Sequence, residues 1–190
     1  MKSLKISSLK TMLYIVFISV LLPGCAQPSH TTEAQSGVDK PKMDIQAAIL
    51  TDNLEVVKQH IAAGTDINKK EPLSGSSPLV TAATFGKTEI AKALIDAGAD
   101  LSVTNNEGAT ALHAAAFFCR VEIVQMLIDA KANKTLRNNF GATPRESVIA
   151  PFADVKPIYQ MIAQQLSPMG LQLDLEKLEE TRPVIAMMLQ

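Results

Sequence analysis

Residues 106–137 read NEGATALHAAAFFCRVEIVQMLIDAKANKTLR, and residues 74–104 read SGSSPLVTAATFGKTEIAKALIDAGADLSVT. Set beneath each other, the two agree at most apolar positions. Ala82, Ala83, Ile90, Leu94 and Ile95 fall over Ala115, Ala116, Ile123, Leu127 and Ile128. Gly75, Gly108 and Gly141 are spaced by 33 residues each time. An earlier copy, DIQAAILTDNLEVVKQHIAAGTDIN (44–68), follows with a one-residue offset that aligns Glu55 with Glu89 and Glu122. Downstream, NNFGATPRESVIA (138–150) opens a fourth copy and then departs from the pattern. A fixed period of this length signals a stack of units, none of which can bury its apolar face alone.

Within each copy the residue types prescribe two helices. Ser77-Pro78 and Thr143-Pro144 put a capping hydroxyl ahead of a proline at the first helical position. The alanine pairs Ala82-Ala83 and Ala115-Ala116 let successive inner helices approach closely. Outer helices over roughly 54–63, 88–97 and 121–130 carry Val, Ile and Leu at i, i+3, i+4 spacing to cover them. Gly64 and Gly98 stop two of these helices where a positive φ is expected, and Lys131 stands in the third such place. The turn between paired helices has Gly86 in one copy but Asp52 and Cys119 in the others. Asp tolerates the left-handed region and Cys does so less readily, so the turn either relaxes at Cys119 or accepts strain there.

The block Gly108-Ala109-Thr110-Ala111-Leu112-His113-Ala114-Ala115, with Val121-Glu122-Ile123-Val124 and Gly98-Ala99-Asp100, resembles the ankyrin repeat over residues 43–150. The resemblance implies an all-α solenoid of three to four repeats that works as a binding scaffold. It also implies that His113 bonds backbone and the neighbouring loop. No Cys or acidic cluster lies at ligand spacing around His113, which argues against a metal. Nor is there a G-x-S-x-G elbow, a Walker loop or an H-E-x-x-H pair, so neither an enzyme nor a cofactor site is expected.

Residues 151–190 leave the repeat. VKPIYQMIAQQL and LDLEKLEETRPVIAMML read as two amphipathic helices, the second kinked or divided at Pro183. They are expected to form a helical cap over the open end of the stack, because a terminal repeat needs a cover. The apolar ending Val184 to Leu189 fits that role less well and could also meet a partner.

The N-terminus carries a different message. Lys2, Lys5 and Lys10 precede an apolar run, MLYIVFISVLL (12–22), with no acidic residue before position 25. That run is too short to span a bilayer but suits a secretory signal. Leu22-Pro23-Gly24-Cys25 resembles the bacterial lipobox, which implies a signal peptide over 1–24 and lipid on Cys25. Ala26, rather than Asp, after the Cys favours the outer membrane, with the domain facing the periplasm. Residues 25–42, rich in Ser, Thr, Pro and Gln, read as a flexible tether. Removing 1–24 leaves 15 basic against 19 acidic residues, and with no basic run there is no footprint for nucleic acid. Once Cys25 carries lipid, Cys119 has no intrachain partner, so no disulfide framework is available.

Projecting the variable positions of the ankyrin family onto this chain gives a candidate partner-binding set. It comprises Leu73, Ser74, Thr84 and Phe85, then Asn106, Glu107, Phe117 and Phe118, then Asn139 and Phe140. Four of the chain's six phenylalanines fall in it, and aromatic side chains are common interface anchors, the alternative being that Phe117 or Phe118 fills the groove beneath the loops. An ankyrin module behind a lipobox with no enzyme motif looks like the immunity lipoproteins paired with antibacterial type VI secretion lipase effectors. That resemblance implies a secreted lipase as partner. The alternative is an envelope structural or oxidative-stress scaffold, similar to periplasmic ankyrin proteins linked to peroxide defence, with a client such as a catalase.

Overall fold

A computed structural model of the chain describes residues 40–190, so the signal, Cys25 and most of the tether lie outside the described residues. Nine α-helices and one 3-10 turn make up the regular structure among them, with no strand. They are α1 (Ile45–Leu50), α2 (Leu54–Ala62), α3 (Pro78–Phe85), α4 (Thr88–Asp96), α5 (Ala111–Phe117), α6 (Val121–Asp129), α7 (Glu146–Ile149), α8 (Phe152–Leu166) and α9 (Leu175–Met188), with the 3-10 turn Ser167–Met169 after α8.

The cap at Ser77 forms as the sequence dictates, whereas α7 begins at Glu146, two residues past Pro144, with the Thr143 hydroxyl accepting from Glu146 N at 3.2 Å. The Ser77 hydroxyl accepts from Val80 N, with Pro78 at the first helical position. The Thr110 hydroxyl accepts from His113 N, and Thr110 N donates back to His113 Nδ1 at 3.2 Å. With Nδ1 accepting, Nε2 carries the proton and donates to Ala142 O at 3.1 Å, tying the third repeat to the next loop. Burial holds the His113 imidazolium pKa below its ordinary value of 6.5. The fold therefore favours the neutral ring, and protonation opposes folding. Its contribution is complete above about pH 6.5 and declines as the pH falls through that value. Replacing His113 with Gln should flatten the loss of stability between about pH 7 and 5, read by urea unfolding at each pH. An unchanged slope would remove His113 as its source.

The turn between paired helices keeps its shape and accepts strain. Asp52, Gly86 and Cys119 all adopt positive φ, at 57°, 68° and 54°, as does Lys131 at 66°. The cost at Cys119, of order 1–3 kcal/mol, is carried by its surroundings. Its thiol is half-buried, reaches Leu178 O at 3.8 Å, and is pushed up to about 11 chiefly by burial. Such a thiol is a poor nucleophile at neutral pH.

The inner helices α1, α3, α5 and α7 pack in that order, and so do the outer helices α2, α4 and α6. Each inner helix also packs on its own outer helix. The core is one cluster of Ala, Val, Ile and Leu, including Ala82, Ala83, Ala115 and Ala116, all at 0% exposure. At the C-terminal end α9, not α8, stands beside α7 and against α6. It takes the place that α6 has beside α5, and it covers the core with Leu178, Ile185 and Leu189. Helix α9 is not divided at Pro183 but runs without interruption, and the carbonyl that loses its donor belongs to the exposed Glu179.

Helix α8 is an excursion between the two members of this last pair, fastened by one buried residue. Tyr159 is wholly buried, and its hydroxyl donates to Phe117 O at 2.7 Å. Arg182, 3% exposed, donates from Nη1 to the Tyr159 hydroxyl at 2.8 Å and from Nη2 to Ala150 O at 2.9 Å. Its guanidinium also lies 5.7 Å and 6.0 Å from the ring centroids of Tyr159 and Phe152. Hydrogen bonds and ring faces thus satisfy a buried charge that has no ion-pair partner among the described residues. Burial, its largest cause, pushes the Tyr159 phenol up to about 12.

Candidate protein-binding surface

Three loops join each outer helix to the next inner helix, and each turns at Gly75, Gly108 or Gly141 with φ of 68°, 71° and 77°. Polar side chains hold each loop from within. Asn105 Oδ1 accepts from Glu107 N and Ala109 N, and Asn138 Oδ1 accepts from Phe140 N and Ala142 N. In the first loop the Glu71 carboxylate does this work, taking Leu73 N and Ser74 N at 2.8 and 2.7 Å. Those amides, Ser74 first, hold the Glu71 pKa below the ordinary carboxylate range.

The loops are also tied to each other. Asn106 N donates to Ser74 O at 2.9 Å, and Asn106 Nδ2 donates to Leu73 O at 2.8 Å. One repeat later, Asn139 N donates to Glu107 O and Asn139 Nδ2 to Asn106 O, both at 2.9 Å. The side-chain bonds span 33 residues each, the period of the sequence. The two asparagines pack where Gly75 and Gly108 lack a Cβ, since an added Cβ would sit 2.2 Å and 2.5 Å from their Oδ1 atoms.

This architecture sorts the candidate residues. Leu73 and Phe140 stand clear of the scaffold at 89% and 79% exposure, with exposed Glu107 between them in chain order. Glu107 takes part in none of the ion pairs among the described residues. Asn106 and Asn139 are exposed, but their amides are committed to the neighbouring loop. They shape the surface more than they offer it. Thr84 returns its hydroxyl to Val80 O and gives its carbonyl to Arg120 Nη2. Phe85 is half-buried at the end of α3.

Phe118 does not reach the surface: it is 8% exposed and meets Phe117 edge-on at 5.1 Å. Phe117 is half-buried and stacked beneath Tyr159 at 4.5 Å. Helix α8 therefore covers the ring that the third repeat would otherwise offer. The arrangement that remains open is a row of loop tips, apolar, acidic and apolar.

Nothing in this row forms a nucleophile–base pair, and no cluster of His, Cys, Asp and Glu able to hold a metal occurs among the described residues. A cavity of about 530 Å³ lies between the turn at 118–120 and the start of α9. Arg120 and Lys177 in its lining are balanced by Glu122 and Asp174. No described helix is long and apolar enough to cross a membrane.

Two features here escaped the sequence reading. The asparagine ties had a signal in an Asn two residues before both Gly108 and Gly141, one period apart. His60, 6% exposed where the other outer helices have Leu94 and Leu127, donates from Nε2 to Met43 O at 2.8 Å and pins the chain entering α1.

Residues 45–138 match the family model described as ankyrin repeats, three copies. The chain is 39% identical over 64 residues to human protein phosphatase 1 regulatory subunit 27, covering 34% of this chain and 41% of that protein. Its mouse counterpart matches at 38% over the same share of each chain. This chain thus spans about two fifths of the length of these curated relatives. In structure it is similar to the ankyrin repeat domain of Bcl-3, a member of the IkappaB protein family. That match has a TM-score of 0.53 and 27% identity, and it covers 54% of this chain and 45% of that one. Periodicity, packing and these matches agree that residues 45–138 are three ankyrin repeats in an all-helical array.

Proposed function

We propose that this chain is a lipid-anchored binding protein of the bacterial envelope. In this reading it neutralises an incoming antibacterial lipase of the type VI secretion class by seating its loop tips on that enzyme. The carrying observation is the row Leu73, Glu107 and Phe140, held out from a scaffold whose loops are tied to one another. Preorganised loops lower the ordering cost of association. Protruding apolar side chains on such loops suit a partner's cleft. The repeats and the regulatory-subunit relatives support a non-catalytic protein-binding role. The lipase and the envelope are carried by the LPGC stretch at 22–25 and the absence of enzyme motifs in the sequence.

The test is a competition between sister strains. Cells lacking this protein should be killed by an attacker that delivers the lipase, and the wild-type gene should restore survival. Leu73→Ala with Phe140→Ala should not restore it, although the protein accumulates normally. Each exposed side chain changes stability by no more than about 0.5 kcal/mol, while an interface anchor costs about 2 kcal/mol or thirtyfold in affinity. Cys25→Ser should leave an unprocessed precursor outside the outer-membrane fraction. Full protection by the double variant would remove the loop tips from the interface. Survival of the deleted strain would remove the immunity role.

A further inference from the structure

Helix α9 repeats the outer helix of the third repeat in sequence as well as in place. Residues 182–189, RPVIAMML, lie over residues 120–127, RVEIVQML, with Arg, Ile, Met and Leu coinciding. The register is structural too, because Ile185 and Leu189 are buried as Ile123 and Leu127 are. Two positions of this register face solvent in every repeat. They hold Glu55 and Lys58, Glu89 and Lys92, and Glu122 and Gln125, all exposed. In α9 the same two positions are Val184 and Met187, 41% and 61% exposed. Core packing asks for no apolar residue there, since three other outer helices do without one. Methionine at an open site suits an adaptable protein contact.

The exposed acidic run that leads into these residues selects what covers them, since the nearby cations Arg145 and Lys134 are held on the carbonyls of Ala186 and Gln190. Glu176 and Glu180 precede Val184 at successive i, i+4 steps and share its outward side, with Glu179 beside them. All three glutamates are exposed. The cations of α9 are Lys177 and the buried Arg182. An anionic lipid surface would meet this face with like charge. We propose that the outward face of α9 docks a basic amphipathic helix of a protein partner. Its cations meet Glu176, Glu179 and Glu180, and its apolar side chains cover Val184 and Met187. The proposal rests on the protein-binding reading above but places a second contact away from the loop tips.

The full-length chain, isotope-labelled, can be titrated with a short peptide of leucine and lysine at helical spacing. Amide signals of α9 should shift, and the peptide should bind at least about tenfold more tightly than its leucine–glutamate counterpart. Val184→Glu with Met187→Lys restores the residues of the other outer helices and leaves net charge unchanged. That variant should fold normally and bind the lysine peptide about tenfold more weakly or worse. Leu73→Ala with Phe140→Ala should bind it as the wild type does. Equal binding of both peptides, or no effect of the α9 variant, overturns the proposal. So does an α9 response to phosphatidylcholine–phosphatidylglycerol vesicles or to self-association in place of the peptide. Such a failure beside lost protection in the loop-tip variant would leave the immunity reading standing.

Discussion

Truncating Tyr159 to alanine should lower the unfolding free energy by about 3–5 kcal/mol, the usual range for removing a large, fully buried ring. Three losses coincide at this one position. The ring leaves a void between Phe117 and Phe152, whose centroids it now meets at 4.5 and 5.9 Å. Phe117 O loses its donor, and Arg182 Nη1 loses its acceptor inside the protein. The buried guanidinium is then left with Ala150 O as its hydrogen-bond partner, which is costly for a charge at 3% exposure. Tyr159→Phe isolates the hydroxyl and should cost about 1–3 kcal/mol through the two unsatisfied groups. Urea unfolding gives the magnitudes. Amide hydrogen exchange should show α8 and α9 opening well before the three repeats. A loss below about 1 kcal/mol for the alanine variant would mean that Tyr159 does not fasten α8.

The second large effect is expected at Gly75. An alanine there adopts a left-handed φ of 68°, which costs about 1–2 kcal/mol for a residue with a Cβ. Its Cβ would also sit 2.2 Å from Asn106 Oδ1 and 3.0 Å from Asn106 N, so the tie between the loops must break or shift. Losing that hydrogen bond adds about 1 kcal/mol, for a total near 2–3 kcal/mol. Gly98→Ala is the matched control. Its φ is 81°, and nothing lies within 4 Å of the added atom, so only the backbone strain should appear. Combining Gly75→Ala with Asn106→Ala should cost less than the sum of the two, because one change removes what the other collides with. Equal losses at Gly75 and Gly98, with additive behaviour in the double variant, would show that the tie contributes nothing.

What could be read in advance divides along a physical line. Features that recur at the period were legible, because repetition converts weak signals into strong ones. The glycines at 75, 108 and 141 belong to this class, whereas the His113 bridge was implied by the resemblance to the ankyrin repeat. Phe117 and Phe118 were not legible, since adjacent rings at a helix end read alike until a third element decides which is covered. Here Tyr159 decides it, from 42 residues away. Single long-range pairings such as Tyr159 with Arg182 leave no pattern in one sequence. The kinship of α9 with α6 was present in the letters. Arg182 falls 62 positions after Arg120, where the period of 33 leads one to look elsewhere.

That displacement bears on how the chain assembles. In the three repeats a helix finds its partner across a link of two or three residues, whereas α7 must wait for α9 across 25. By the logarithmic cost of closing a chain loop, this adds about 2 kcal/mol before the pair gains any contact. Formation of α8 shortens the effective link and offsets part of that cost. The N-terminal repeats can therefore propagate from local pairings, while the last pair closes late and only around Tyr159. In the reverse direction it is expected to come apart first. Unfolding from that end would bare Phe117 and Phe118 while the loop tips at Leu73 and Glu107 stay in place.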